Sequence, residues 1–401
     1  MLPVARLAAM TAAASVKVTP DVLVWAREHS AASLDEAVAR TKHELAEVLD
    51  WEAGKADPPL TALRELANLY GVPLTVFMLD ARPKVQPRPV DMRAFAGVTK
   101  PEPSLELAKA LNRAAALQTL AHDLMEELGI PTTVTGPADQ GDAEQLAATQ
   151  RALVGVSLET QRKWKDERHA LREWRAAIER RGVFVIQLSM KKAGSRKADV
   201  KAFSLSQQPP LIVLNQSDFV RSRVFSLIHE YAHVLLGTGA ICLPGSGRRA
   251  MEQSPAVEVF CNRFAGAFLV PGDALKADAL ATQISKSRKA PDDATLEKLA
   301  RRFHVSWAVV WYRLRHLDMI SQAMFAKKWE DWDWYPMPGE GGGGMTHGER
   351  VMATYGTSLA SLVLDASARN IVTTADVGQY LSFPAWRYAD VETELSIRTA
   401  V

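Results

Sequence analysis

Apolar residues recur at helical spacing through residues 20–80: Val22 and Trp25, then Leu34, Ala37 and Val38, then Leu63, Leu66, Ala67 and Tyr70. Steps of three and four place such residues on one helix face, so the stretch predicts several short helices separated at 30–33 and 54–59. The proline-rich run 84–103 cannot continue a helix and reads as a linker. Helical spacing returns over 105–128, and 131–142 is a second soft connection. One long amphipathic stretch is expected over 151–182, with Gly182 stopping it before the β-rich run Val183-Phe184-Val185-Ile186. A second strand is expected at Leu211-Ile212-Val213-Leu214, leading into Asn215. Ser217 and Asp218 are N-cap candidates for a helix that carries Phe225 and His233 and stops at Gly237. After a loop at 243–249, Ser254-Pro255 opens another helix, which ends before Pro271-Gly272. Two short helices around His304-Val305-Ser306 and a helical tail beyond the glycines 341–344 complete an α+β pattern, predominantly helical with a small β-sheet.

Length adds that two or three modules share the 401 residues. Hydrophobic residues at 47%, charged ones at 23% and a net charge of +2 neither demand nor exclude a polyanionic partner. Cys242 and Cys261 are the only cysteines, so the chain builds neither a disulfide framework nor a four-thiolate metal site, and a reducing cytoplasm is the expected location. The alanine-rich start lacks a cationic stretch before its apolar part and is interrupted by Arg6, so 1–18 reads as a disordered start rather than a leader. No run reaches the roughly 18 to 20 apolar residues of a membrane span, and no membrane association is expected.

The chemistry concentrates in His229-Glu230-Tyr231-Ala232-His233, an HExxH pattern. On a helix, positions i and i+4 lie on one face, so both imidazoles reach one zinc ion while Glu230 approaches its bound water as general base. A chance match is expected on the order of one per cent of the time in a chain with this histidine content, and such a match would not fall inside an independently expected helix. A catalytic zinc takes three protein ligands and leaves a position for water. For the third, Glu258 stands in the first turns of the next helix, on one face with Cys261 and Asn262. Ala265, Gly266 and Ala267 are small enough to let the two helices approach closely. The alternatives are that Glu258 only complements a helix N-terminus, or that Cys242, Cys261 or His304 supplies the ligand. Tyr231, Arg223 and Asn262 lie near the motif, but spacing alone places none of them over a substrate carbonyl.

These residues resemble the ImmA/IrrE family of zinc metallopeptidases, in the run from Arg223 to His233 and in Glu258-Val259-Phe260-Cys261-Asn262-Arg263-Phe264-Ala265 followed by Leu269-Val270-Pro271. The resemblance implies a zincin-like domain whose zinc is held by His229, His233 and Glu258, with Glu230 catalytic. The N-terminal stretch resembles an Xre-type helix-turn-helix through the two helices of 33–51 and through Trp51-Glu52-Ala53-Gly54-Lys55, but Glu44, Glu47 and Asp50 stand where a groove-reading helix carries neutral or basic groups. Such a bundle serves DNA binding, protein docking and homodimerisation alike. The segment 299–317 also resembles a small helix-turn-helix, its Arg301, Arg302, Arg313 and Arg315 being either functional or solvated faces. Trp329, Trp332 and Trp334 are read as a wedge closing the core in preference to an exposed partner-binding stripe.

The expected organisation is a disordered start at 1–18, an Xre-like domain at 19–82, a linker and connecting helix at 83–142, the metallopeptidase domain at 143–325, and an aromatic, glycine-spaced helical tail at 326–401. The function implied by the resemblance is zinc-dependent cleavage of a specific protein, typically a helix-turn-helix repressor, in stress or mobile-element regulation. The alternative is a DNA-binding regulator, or an antitoxin-like partner of a toxin in a two-gene module.

Overall fold

Capping groups set the first helices. In the computed structural model, which describes residues 15–83, 104–131, 141–190, 200–238, 241–242 (backbone), 256–287, 289–330 (backbone only at 329–330) and 344–399, the chain opens with α1 (Pro20–His29), α2 (Leu34–Thr41), α3 (Leu45–Glu52) and α4 (Leu60–Tyr70), followed by a 3-10 turn at Leu74–Met78. Ser33 Oγ accepts from Glu36 N at 3.1 Å while Glu36 Oε2 accepts from Ser33 N at 2.9 Å, a reciprocal capping box that starts α2. Lys42, at φ 60°, closes α2 and turns the chain into α3. Val22, Leu23, Val48, Leu63, Leu66, Tyr70 and Phe77 form the core of this bundle, and an Arg27–Glu52 ion pair at 2.7 Å ties α1 to α3. The expectation of disorder through residue 18 needs correcting at its end. Val16 N donates to Pro58 O at 2.9 Å and Val18 is buried, because this short segment pairs its backbone beside the start of α4.

The chain divides into two compact units: of the described residues, 15–83 and 104–115 belong to the first and the others to the second. The division falls within α5 (Leu105–Glu127). The second unit holds α6 (Ala143–Val154), α7 (Leu158–Arg162) and α8 (Glu167–Glu179) where one long amphipathic stretch was expected. Gly155 at φ 72° ends α6, and Ser157 and Asp166 cap the two helices that follow through their side-chain oxygens, so local stop and start signals override the shared periodicity.

Strands β1 (Phe184–Leu188), β2 (Ala202–Leu205), β3 (Leu211–Asn215) and β4 (Ile241–Cys242) form one sheet in the order β1-β3-β2-β4. β1 runs parallel to β3, with Ile186 opposite Val213, whereas β2 is antiparallel to both β3 and β4. Strand β2, absent from the sequence expectation, is buried along its whole length. Helix α9 (Val220–Leu235) packs on β2 and β3, on α8 and on α10 (Ala256–Leu269). Its start differs from expectation. Phe219 is the N-cap residue and gives no side-chain cap, while Asp218 accepts from Phe219 N at 2.9 Å and from the Ser222 hydroxyl.

Helices α11 (Gly272–Lys276), α12 (Ala279–Lys286), α13 (Asp293–Arg301), α14 (Trp307–His316) and α15 (Gln322–Glu330) follow. Arg313 on α14 is not a solvated cation. It is buried, donates from Nε to Val270 O at 2.8 Å and pairs with Glu144. A Cβ on Gly266 would lie 3.7 Å from Arg313 Cδ, an ordinary contact, so Gly266 faces that arginine rather than α9.

The expected tail is helical: α16 (His347–Ala368), α17 (Thr374–Tyr380) and α18 (Tyr388–Thr399). Helix α16 breaks at Gly356, where φ is 81° and ψ 167°. Buried Arg175 of α8 donates to the carbonyls of Met352, Ala353 and Thr354 that end the first half, at 3.1, 2.6 and 3.2 Å. Its ion-pair partner Glu179, 3.1 Å away, accepts from the amides of Thr357 and Ser358 that begin the second half, both at 3.1 Å. A cation at carbonyl ends and a carboxylate at amide ends suit the two helix termini electrostatically, and so the buried pair is solvated by backbone. Gln187 of β1 donates to Ala353 O at 2.6 Å and accepts from Arg223 of α9 at 2.6 Å, which links the break to the helix carrying the HExxH motif.

The expected linker at 84–103, the loop 243–249, the Ser254-Pro255 opening, residues 1–14, 132–140 and 341–343, and the side chains of Trp329, Trp332 and Trp334 lie outside the described residues. No helix among the described residues is long and apolar enough to cross a membrane.

Candidate metal centre

Helix α9 is buried along nearly all of its faces, which leaves its two histidines where water does not compete for their nitrogens. His229 and His233, one turn apart, are each 1% exposed, and their Nε2 atoms are 3.2 Å apart. From the first turn of α10, Glu258 brings Oε2 to 3.3 Å from His229 Nε2 and Oε1 to 3.2 Å from His233 Nε2. Among the described residues these three form the one cluster with metal-ligand geometry.

The spacing carries information. Around an ion with bonds of about 2.0 Å, tetrahedral ligand atoms stand about 3.3 Å from one another. The Nε2–Nε2 separation of 3.2 Å fits one edge of such a tetrahedron, and each ring nitrogen has one oxygen of Glu258 at a matching distance, Oε2 for His229 and Oε1 for His233. Two imidazoles and one carboxylate are also a donor set that catalytic zinc takes.

The far sides of the rings are arranged to suit. His229 Nδ1 lies 3.1 Å from Asn262 Oδ1, an acceptor, so Nδ1 carries the proton and Nε2 is bare. Thr238 Oγ1 donates to His233 O at 3.4 Å and thus accepts from His233 Nδ1 at 3.2 Å, which bares that ring's Nε2 as well. Such outer hydrogen bonds fix ring orientation and raise ligand basicity. Burial works against a charged Glu258; only with the two rings also protonated at Nε2 do hydrogen bonds from His229 and His233 outweigh it and hold its carboxyl below the usual range.

Glu230 is fully buried. Ser204 of β2 donates to its Oε2 at 2.7 Å, while Oε1 has no hydrogen-bond partner among the described residues. Burial pushes its pKa up to about 7, with His233 and the Ser204 hydrogen bond pulling it down and Glu258 adding to the rise. An acceptor left open in a dry site beside a metal-binding face is the arrangement that a water-activating carboxylate requires.

The other candidates point elsewhere. Cys261 is buried in the core of the second unit, outside the cluster. His304, at φ 54°, sits against the Trp164 ring with centroids 6.1 Å apart. The side chain of Cys242 lies outside the described residues. Tyr231 donates to Gln150 at 2.8 Å, Arg223 donates to Gln187, and Asn262 is committed to His229. Sequence reasoning named Asn262 without a task and missed Ser204 and Thr238. Thr238, five residues past His233 and just beyond the end of α9, was the more accessible of the two.

Residues 178–315, from the end of α8 to α14, match the family model described as the IrrE N-terminal-like domain, Peptidase_M78. That family is one of metallopeptidases, and the match supports a peptidase domain of the ImmA/IrrE type in this part of the chain. No curated protein and no solved structure matches the chain.

Proposed function

We propose that this protein is a zinc-dependent endopeptidase that cleaves a specific protein, a helix-turn-helix transcriptional repressor in the reading carried over from the family resemblance. The observation that carries the catalytic part is the convergence of His229, His233 and Glu258, together with an open acceptor on buried Glu230. Zinc held there supplies Lewis acidity toward the scissile carbonyl and lowers the pKa of water to about 7.

The chain's own groups do the rest. Glu230 receives the proton of the attacking water at Oε1 and returns it to the leaving amine, while Ser204 fixes its other oxygen so that the carboxylate does not swing away. Asn262 and Thr238 hold the two rings in the tautomer that faces the ion. Helix α9, sheet and α10 exclude bulk water, which strengthens each of these interactions.

The test is cleavage itself. Purified protein with one equivalent of zinc is incubated with the helix-turn-helix repressor encoded beside its gene, and the products are mapped by mass spectrometry. One discrete cut that disappears with a chelator and returns with zinc is expected. A repressor left intact at every zinc concentration would refute the substrate assignment.

A further inference from the structure

The outward side of α3 is at odds with the role its position suggests. Leu45 and Leu49 are 44% and 43% exposed, although Val48 and Trp51 of the same helix are buried in the bundle core. The two leucines lie one turn apart, and Ala53 at the helix end extends them into a stripe at i, i+4 and i+8, with exposed Ala46 alongside. Glu47 and Asp50 form the other edge of this face, with side chains about half exposed. Helix α3 has no lysine or arginine, and residues 15–83 contain seven of these against eleven aspartates and glutamates. Two neighbouring cations are already engaged: Arg40 with Glu65 at 2.7 Å, and Lys55 with Asp50 at 3.5 Å.

As the second helix of a helix-turn-helix pair, α3 would enter the major groove, where binding depends on cations meeting phosphates. An apolar stripe edged with carboxylates is repelled there. We propose that the outward face of α3 docks a basic, amphipathic helix of a partner protein. Leu45, Leu49 and Ala53 make a ridge that seats the apolar side of an incoming helix, and Glu47 with Asp50 selects a cationic flank on it. The same carboxylates act against a second copy of this chain, because pairing two α3 faces brings like charges together. The inference does not depend on the metal chemistry.

Fluorescence anisotropy on the full chain carrying Glu230→Gln, which prevents cleavage of the probe, tests it. The probes are an 18-residue leucine/lysine peptide patterned as an amphipathic helix, a scrambled peptide of the same composition, a leucine/glutamate counterpart and a 20-base-pair duplex. The patterned cationic peptide is expected to bind best. Leu45→Ser/Leu49→Ser and Glu47→Lys/Asp50→Lys should each weaken it at least tenfold, whereas Asp57→Lys, an exposed acid outside α3, should leave it within twofold. Circular dichroism confirms that each variant is folded. Equal binding of the scrambled peptide, indifference to both α3 variants, or duplex binding that is lost with them would overturn the proposal. So would a chain dimer, seen by sedimentation velocity, that Leu45→Ser/Leu49→Ser dissociates.

Discussion

Replacing Glu230 with glutamine is expected to remove hydrolysis while leaving the metal bound. The substitution keeps the shape and the acceptor toward Ser204 but removes the group that takes the water's proton. Loss of a positioned general base typically costs on the order of 10² to 10⁴ in rate, and the upper part of that range is expected because the cluster's own carboxylate, Glu258, has both oxygens against the histidines. The readouts are kcat on the cleaved repressor and metal content per chain. A variant that keeps zinc and cuts at the wild-type rate would remove Glu230 from the mechanism. One that loses both would mean that Glu230 supports the site rather than the reaction.

Gly356→Ala is expected to cause the largest loss of stability. At φ 81° and ψ 167° the backbone is in a region that side chains rarely enter, and a Cβ would stand 2.0 Å from Glu179 Oε1 and 2.8 Å from Arg175 Nη2. Either the helix break reshapes or the buried pair separates, and disrupting such a pair costs about 3 to 5 kcal/mol. Gly129→Ala is the control. Gly129 also has a positive φ, of 66°, but an added Cβ meets nothing within 4 Å, so a cost of about 1 kcal/mol is expected there. Denaturant unfolding of both variants measures the difference, and equal midpoints would show that the break does not clamp α16 to α8 and β1.

The same residues show where sequence reading works and where it stops. The HExxH spacing is legible because a helix converts i and i+4 into a shared face, whereas Glu258 meets the histidines only through the packing of α9 on α10, and spacing left its rivals open until the family resemblance favoured it. The two expected strands are short apolar runs bounded by turns, and both appear, shifted by one or two residues at an end. Strand β2 went unread because Ala202-Phe203-Ser204-Leu205 is short and buried throughout, so no alternation marks it, and Ser204 was lost with it. The break in α16 is illegible for another reason. Locally the run from Glu349 to Leu364 reads as one amphipathic helix, and the requirement for glycine at 356 comes from Arg175 and Glu179, far back in the chain. The Arg313–Glu144 pair is likewise set by tertiary packing, which made a buried anchor of an arginine that the sequence left open between a functional and a solvated face.

Zinc stoichiometry tests the central claim most directly. Protein freed of metal by chelation, reloaded and passed through a desalting column is expected to hold one zinc per chain by elemental analysis, as is Glu230→Gln. Glu258→Ala and His229→Ala, shown to be folded by circular dichroism, are expected to emerge with essentially none. Full zinc retention by Glu258→Ala, or a wild-type chain that binds no zinc, would contradict the account.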